Sequence, residues 1–508
     1  MSGQLPLWED ARTGGRERIP LLSKSRFAAG LQCQKRLYLE CYHRDLMDPI
    51  DPGRRALLDA GTRVGLVARN RWPGLWIEQD YLHHDQAAEA TAHALRDPDV
   101  RAIHEAAFTF DGVRVRVDIL ARADRGGWDL IEVKSSASVK EEYLPDVAVQ
   151  LYVVEGSGVP VRKVGLLHIN NRYVYPGGPY DLERLFVWRD QTDAARELGP
   201  FVVESLASMR EPLRAWSAPE IKPGAQCERP YRCPFYTHCH VDEPEHPVRD
   251  LPRAGARLLD ALRALEIEDI RDIPDGFDGL SELQERVRDC VRDGTIFADP
   301  ELGRQLRSLK YPIHFLDFET CNPGLPLYPG TRPFQQIPFQ WSDHALDPSG
   351  IVTHHEFLHD AKADPRLPLA ETLAETLSDA GTIVVYSGFE ERIIRSLAEE
   401  FPNMAPRLLP LAEDRMVDLL ELIRGHYYHP EFRGSFSIKD VLPALVPGFG
   451  YQDLAIREGG QAGAAFVEMI DPATHPARRA EIREALRRYC RRDTEAMVML
   501  FQALKEAP

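Results

Sequence analysis

Apolar positions recur along the chain with two different periods, and the changes of period outline its elements. Val113-Arg-Val-Arg-Val-Asp118-Ile-Leu-Ala-Arg alternates apolar and polar residues, and Trp128-Asp-Leu-Ile-Glu132-Val-Lys134 is a second β-rich run. Asp124-Arg-Gly-Gly127 between them has turn chemistry, so the three pieces predict a β-hairpin. Pro312-Ile-His-Phe-Leu-Asp-Phe-Glu319 and Thr382-Ile-Val-Val-Tyr386 read as apolar strands. Leu258, Leu259, Leu262 and Leu265 fall at helical spacing, and a long amphipathic helix is expected near residues 478–504. A Pro-rich charged stretch around residues 240–253 reads as a linker. At roughly 150 residues per domain, 508 residues suggest about three units. The expected division is an α/β domain over 20–245, a linker and small helical spacer over 246–308, and a second α/β domain over 309–508.

Composition narrows the class. An apolar fraction of 44% with 28% charged residues is that of a globular chain. No apolar run approaches the ~20 residues that cross a bilayer, so no membrane association is expected. The first residues lack the basic and apolar regions of a signal peptide, and a cytoplasmic location is the expectation. A net charge of −17 argues against a sequence-independent nucleic-acid coat held by phosphate contacts. It does not argue against a metal-dependent nuclease, which needs carboxylates.

The hairpin carries the first candidate chemistry. Glu132 and Lys134 share one strand face because side chains alternate with period two. A turn centred on Arg125 and Gly126 sets Asp118 opposite Val133, whereas a one-residue shift sets it opposite Glu132 or Lys134. The shifted register is the expectation, since it gathers two carboxylates and an ammonium. Two carboxylates at such spacing repel unless a divalent cation lies between them. Val117-Asp118, Ile131-Glu132-Val133-Lys134 and the later Gln150-Leu151 together resemble the RecB-like nucleases of the PD-(D/E)XK superfamily, which include the CRISPR-associated RecB-like exonucleases. The resemblance implies a restriction-endonuclease-like fold, magnesium or manganese, and catalytic roles for Asp118, Glu132 and Lys134. The chain departs from that pattern in two places. Glycine stands in Gly61-Thr-Arg-Val-Gly65 where an upstream histidine is usual, and Val154 stands where a tyrosine is usual, with Tyr152 nearby. A third metal ligand is therefore unassigned, and Glu105 on the preceding strand is the candidate.

Eight cysteines are few, and structural disulfides are not expected of a chain in a reducing compartment. Cys227, Cys233 and Cys239 are regularly spaced in a Pro-rich loop, and Cys33 is the best fourth thiol, ahead of Cys41. One cysteine before the nuclease core and three after it resemble the iron–sulfur type of RecB-like nuclease. That resemblance implies a [4Fe–4S] cluster, with Zn2+ as the alternative and a structural role in either case.

Phe315-Leu316-Asp317-Phe318-Glu319-Thr320 puts two acids on one face of an apolar strand, which is costly without a cation. Tyr489-Cys-Arg-Arg-Asp493 stacks Tyr489 over Asp493 on the long helix. These two motifs resemble the DnaQ-like exonucleases of the ribonuclease H-like fold. The resemblance implies two metals held by four acids and a tyrosine that orients water. The middle motif departs, with Glu390 in the place of the usual aspartate. Asp418 is a further acid, read more readily as a helix cap. The second half, including Gly434-Ser-Phe-Ser-Ile-Lys439, also resembles a bacterial family of unknown function.

The expected function is therefore that of a metal-dependent nuclease acting on the ends of nucleic acid, DNA favoured over RNA, with a RecB-like site and a DnaQ-like 3′–5′ exonuclease site. The alternatives are a chain with one catalytic half and one binding half, and a non-catalytic nucleic-acid-binding scaffold.

Overall fold

A computed structural model describes residues 18–377 and 380–506. The chain forms two compact units, each mixed α/β. The first comprises the described residues up to Asp242 together with Pro323–Phe334, and the second comprises Glu243–Asn322 and the described residues from Gln335 onward.

The first unit is built on a seven-stranded mixed sheet. Its strands are β1 (Leu22–Ser23), β2 (Leu75–Trp76), β3 (Ala102–Phe110), β4 (Val113–Arg122), β5 (Trp128–Lys134), β6 (Val161–Ile169) and β7 (Phe186–Asp190). The path runs β2-β3-β4-β5-β6-β7, with β1 paired to β4 off that path. The expected hairpin is β4–β5, where Ile119 pairs with Ile131 and Leu120 with Leu130. Continued by one residue, this register sets Asp118 across from Glu132, as the shifted reading expects.

Strict alternation does not hold through the hairpin, however. Val113, Val115 and Val117 pack into the core that holds the helix Tyr143–Gly156, whereas Ile119 and Ala121 pack into the core that holds Val64 and Ala68 of the helix Pro52–Arg69. The facing of β4 thus reverses at Asp118. Across the ladder, Glu105 of β3 has a left-handed φ of 57°, so both strands kink at the same level. The same level is a fork in the sheet. β1 pairs with β4 at Val113 and Arg114, and β5 pairs with it only from Ile119 onward.

The second unit has a five-stranded sheet in the order β11-β10-β9-β12-β13. These strands are β9 (Ile313–Cys321), β10 (Ile337–Leu346), β11 (Val352–Leu358), β12 (Thr382–Val385) and β13 (Met416–Asp418). Between the two sheets in sequence lies β8 (Phe297–Ala298), which pairs with β14 (Tyr427–Tyr428). β9 is antiparallel to β10 and parallel to β12. Leu316 and Phe318 of β9 point into a core shared with Ile383, Ile394 and Leu397. Asp317 and Glu319 therefore lie on the opposite face, as the alternation predicts.

That opposite face meets two helices, Gly459–Ile470 and Pro476–Lys505. Phe501 of the long helix packs edge-on to Phe315 of β9. The shorter helix approaches β9 at Gly463, where a Cβ would stand 2.7 Å from the Thr320 carbonyl oxygen. Backbone on both sides leaves no room to yield. Gly463→Ala should cost about 1–3 kcal/mol of stability in this unit, measured by urea unfolding. An unchanged midpoint would mean that this approach is not tight.

The segment expected as a separate spacer is part of the second unit. Gln284 donates to the Pro252 carbonyl at 2.8 Å, Arg286 to the Arg424 and Gly425 carbonyls, and β8 pairs with β14. Helical spacing after a Pro-rich stretch suggests a separate spacer, but Val287 and Val291 are buried. Likewise Pro323–Phe334, expected to belong to the second domain, packs with the first unit. Tyr175 donates its backbone N–H to the Thr331 carbonyl there.

Candidate active sites

At the fork in the first sheet, five charged side chains meet. Asp118 accepts a hydrogen bond at Oδ2 from the Val133 N–H, 2.7 Å away, so its side chain bridges the strands where the backbone ladder stops. Glu132 is buried, and its Oε1 accepts from two ammoniums, Lys24 at 2.7 Å and Lys134 at 2.9 Å. Its Oε2 accepts from Gln150 Nε2 at 2.8 Å. Lys134 is also bonded to Asp146 at 2.7 Å. Gln150 and Asp146 lie one turn apart on the helix Tyr143–Gly156, which places both over β5.

Burial pushes the Asp118 carboxyl up to about 7, and neighbouring Glu132 adds to the shift. Burial would raise Glu132 as well, but Lys24 and Lys134 outweigh it and hold that carboxyl at about 2. Glu132 is thus ionised and cation-paired, while Asp118 is poised near neutrality.

Lys24 and Asp146 were not legible in the sequence. Lys24 is the first residue of the helix Lys24–Gln32, and its position follows from β1. Leu22 pairs with Val113, and Ser23 caps the helix by accepting from the Arg26 N–H. The expected third ligand, Glu105, is engaged elsewhere. Its carboxylate pairs with Arg69 at 2.5 Å and faces Arg116 at 3.7 Å. Two guanidiniums hold it, and it does not join Asp118 and Glu132 in a group of ligand atoms within 4.8 Å of one another. Tyr152 turns away from the site and donates to Asp111 at 3.0 Å.

The four cysteines Cys33, Cys227, Cys233 and Cys239 line one pocket, together with Lys35, Arg36 and Lys222, and Cys41 is not among its lining. No disulfide joins any two cysteines among the described residues. Burial raises the Cys233 thiol to about 11 and raises Cys239 as well. In any three of the four, at least one pair of sulfurs is more than 4.8 Å apart. Four sulfurs about 2.3 Å from one zinc would be separated by only about 3.8 Å.

In the second unit, Asp317, Glu319, Glu390, Tyr489 and Asp493 all line a single cavity of about 650 Å³. Every residue expected at this site is therefore on its wall. Asp317 and Glu319 come from β9, Tyr489 and Asp493 from successive turns of the long helix, and Glu390 from the first turn of the helix Phe389–Glu400 that follows β12. Glu390 is 4% exposed, and its Oε2 is buried without a hydrogen-bond partner. Asp418 caps the helix Leu419–His426, accepting from the Leu420 N–H at 2.9 Å, which is the cap role expected of it.

Three further residues complete the site. The Tyr451 hydroxyl donates to Asp493 at 2.6 Å. Lys439 Nζ reaches the Tyr489 hydroxyl at 3.4 Å and also bonds the Arg457 carbonyl. Cys490 lies with Asp317 and Glu319 in the one group of three potential ligands within 4.8 Å found among the described residues. It does not line the cavity, however, and its Sγ packs behind Asp317, 3.6 Å from Oδ2 and 3.9 Å from the backbone carbonyl. Cys490 therefore supports Asp317 from the core side. No pattern in the sequence flagged Tyr451 or Cys490, and Lys439 was noted only within a longer run.

Burial raises all four acids. Asp317 stands well above the usual carboxylate range, with Asp493, Glu319 and Glu390 adding to the shift. Glu319 is likewise high, and Lys439 offsets only part of it. Glu390 is pushed up to about 8 and Asp493 to about 6. Four carboxylates thus share one cavity whose wall also carries Lys439, Arg253 and Arg424, and none of the four acids forms an ion pair among the described residues, so their mutual repulsion is only partly offset.

Residues 314–437 match the family described as "Domain of unknown function (DUF2779)". The matched stretch holds Asp317, Glu319 and Glu390 and ends before Lys439, Tyr489 and Asp493. No curated protein matches the chain. Among solved structures, the chain is similar to "Crystal structure of SSO0001" at 13% identity, over 36% of this chain and 75% of that one, with a TM-score of 0.18. It is also similar to the family B DNA polymerase from Pyrobaculum calidifontis at 12% identity, over 77% of this chain and 46% of the polymerase, with a TM-score of 0.24. With both scores below 0.5, these likenesses do not establish a shared fold. Among the described residues no helix is long and apolar enough to cross a membrane.

Proposed function

We propose that the chain is a metal-dependent nuclease with two heads, a RecB-like PD-(D/E)XK site in the first unit and a DnaQ-like, ribonuclease H-like 3′–5′ exonuclease site in the second. The observation that carries the reading is the convergence of Asp317, Glu319, Glu390 and Asp493 on one cavity, with a buried Glu390 oxygen that has no partner. Hard oxygen donors in that number suit magnesium or manganese. Asp317, Glu319, Glu390 and Asp493 would hold such ions in the second site, and Asp118 and Glu132 in the first. Bound there, a divalent cation supplies an activated water and stabilises charge developing on a phosphodiester.

The chain's own residues supply the rest. In the second site burial and the neighbouring acids keep the Tyr489 hydroxyl protonated, so it can hold a water against Asp493. Lys439 fixes that hydroxyl from the other side. In the first site Lys134 is held by Glu132 and Asp146 and stays charged, a fixed cation for a scissile phosphate. Cys33, Cys227, Cys233 and Cys239, which line one pocket, would hold a structural [4Fe–4S] cluster, with zinc as the alternative.

A second reading, with only the second site catalytic, is favoured by the charge balance. In the first site Lys24 and Lys134 are ion-paired directly to Glu132 and Asp146, whereas among the described residues none of Asp317, Glu319, Glu390 and Asp493 makes an ion pair. One experiment separates these readings. The purified chain is given end-labelled single- and double-stranded DNA and RNA with magnesium or manganese, beside Lys134→Ala, Asp317→Ala and the double variant. Two heads predict residual cutting in each single variant and none in the double. Loss of all cutting in Asp317→Ala alone supports one head, and no metal-dependent cutting of any substrate rejects the nuclease.

A further inference from the structure

The geometry points to Lys24 as a second functional lysine of the first site, one whose ammonium occupies Glu132 in the place of a divalent cation and is exchanged for it. This inference rests on the proposed metal-dependent role of that site. Glu132 Oε1 takes two ammoniums and its Oε2 takes an amide N–H, so its available directions are largely spent on the chain's own donors. A metal ligated by Glu132 must displace one of them.

The two lysines are not equally fixed. Lys134 is anchored a second time by Asp146 at 2.7 Å and sits 4.8 Å from the centre of the Tyr143 ring. Among the described residues Lys24 makes its ion pair with Glu132 alone, and its side chain is 27% exposed against 17% for Lys134. Its backbone is pinned by β1 and by the Ser23 cap, while four rotatable bonds separate that backbone from the ammonium. Lys24 can therefore swing outward without moving the fold. Asp118 also attracts the ammonium, so both acids that would hold the metal act on Lys24.

With both acceptor directions of Oε1 taken by ammoniums, a metal on that oxygen competes with one of them, and removing Lys24 must tighten the metal. Once displaced, Lys24 stays tethered at the mouth of the site, where the anion of the proposed reaction is a phosphate oxygen of the nucleic-acid backbone.

The test reads metal binding, not cutting. The full chain carrying Asp317→Ala and Asp493→Ala, to silence the second site, is titrated with Mn2+ and followed by electron paramagnetic resonance. Adding Lys24→Met should lower the Mn2+ dissociation constant by roughly tenfold or more, whereas Lys24→Arg, which keeps the charge, should leave it within about threefold. Lys24→Gln provides a second neutral variant should Lys24→Met fail to fold. Binding that is unchanged or weaker in the neutral variants overturns the exchange and leaves the metal site standing. Absence of Mn2+ binding in every variant overturns both the exchange and the reading beneath it.

Discussion

Asp317→Asn should yield a protein that is more stable without metal and nearly inactive at its second site. Asp317 is buried against Asp493, Glu319 and Glu390, and the nearest cation, Lys439, acts on Glu319 and Asp493 instead. Replacing one acid by an isosteric amide removes like-charge repulsion while keeping the volume. The metal-free variant should therefore unfold at a higher temperature than its parent, because the repulsion that raises Asp317 is relieved. Cutting by that site should fall by roughly a thousandfold, since a ligand for the reacting cation is lost.

The pH dependence carries a definite sign. Glu390, at about 8, and the elevated Asp317 and Glu319 bind protons in the folded state at a pH where the unfolded chain does not. Their contribution to stability is therefore full at low pH and is lost as pH rises through the folded values. His344 and His354, held near 4 by burial, act in the opposite sense below about 6.5. The clean window is thus about pH 6.5 to 8, where the metal-free parent should lose stability with rising pH and Asp317→Asn should lose less. Adding Mg2+ should stabilise the parent most at pH 8. Calorimetry of both proteins checks this, and a variant less stable than its metal-free parent would show that the acids do not strain the fold.

The second site was far more legible in the sequence than the first, for a geometric reason. Asp317 with Glu319, and Tyr489 with Asp493, each lie within one regular element, where period two or 3.6 fixes which side chains share a face. Glu390 was reachable because it opens the helix after an apolar strand. Lys439 and Tyr451 arrive from loops and short helices whose paths no periodicity specifies. In the first site the alternation that placed Glu132 beside Lys134 could not foresee the reversal at Asp118, because that depends on a kink shared with Glu105 across the ladder. Nor could it foresee Lys24, which reaches Glu132 across 108 residues of chain. The helical segment before β9 reads as a spacer from its leucine spacing and the Pro-rich stretch before it, whereas the contacts of Arg286 with the Arg424 and Gly425 carbonyls, far along the chain, carry no sequence signal.

Cys233→Ser should abolish metal binding by the cysteine pocket and destabilise the first unit, leaving the second unit's transition unchanged. The four thiols join Cys33 to a loop that begins at Cys227, so a shared ion closes a loop of roughly 190 residues. The entropy of that closure is on the order of 4–5 kcal/mol, all of which the unfolded chain regains when the ion is lost. Without an ion the pocket gives little in return, because burial keeps Cys233 and Cys239 protonated and neutral thiols make weak hydrogen bonds. With an ion the thiols must be thiolates, and Lys35, Arg36 and Lys222 around the pocket offset their charge. Colour and metal content separate the two candidate metals. Anaerobically purified protein should be brown, with a broad band at roughly 400 nm that Cys233→Ser removes. Colourless protein with one zinc per chain would reject the cluster and keep the staple, whereas a Cys233→Ser variant with unaltered metal content and unaltered first transition would reject the staple itself.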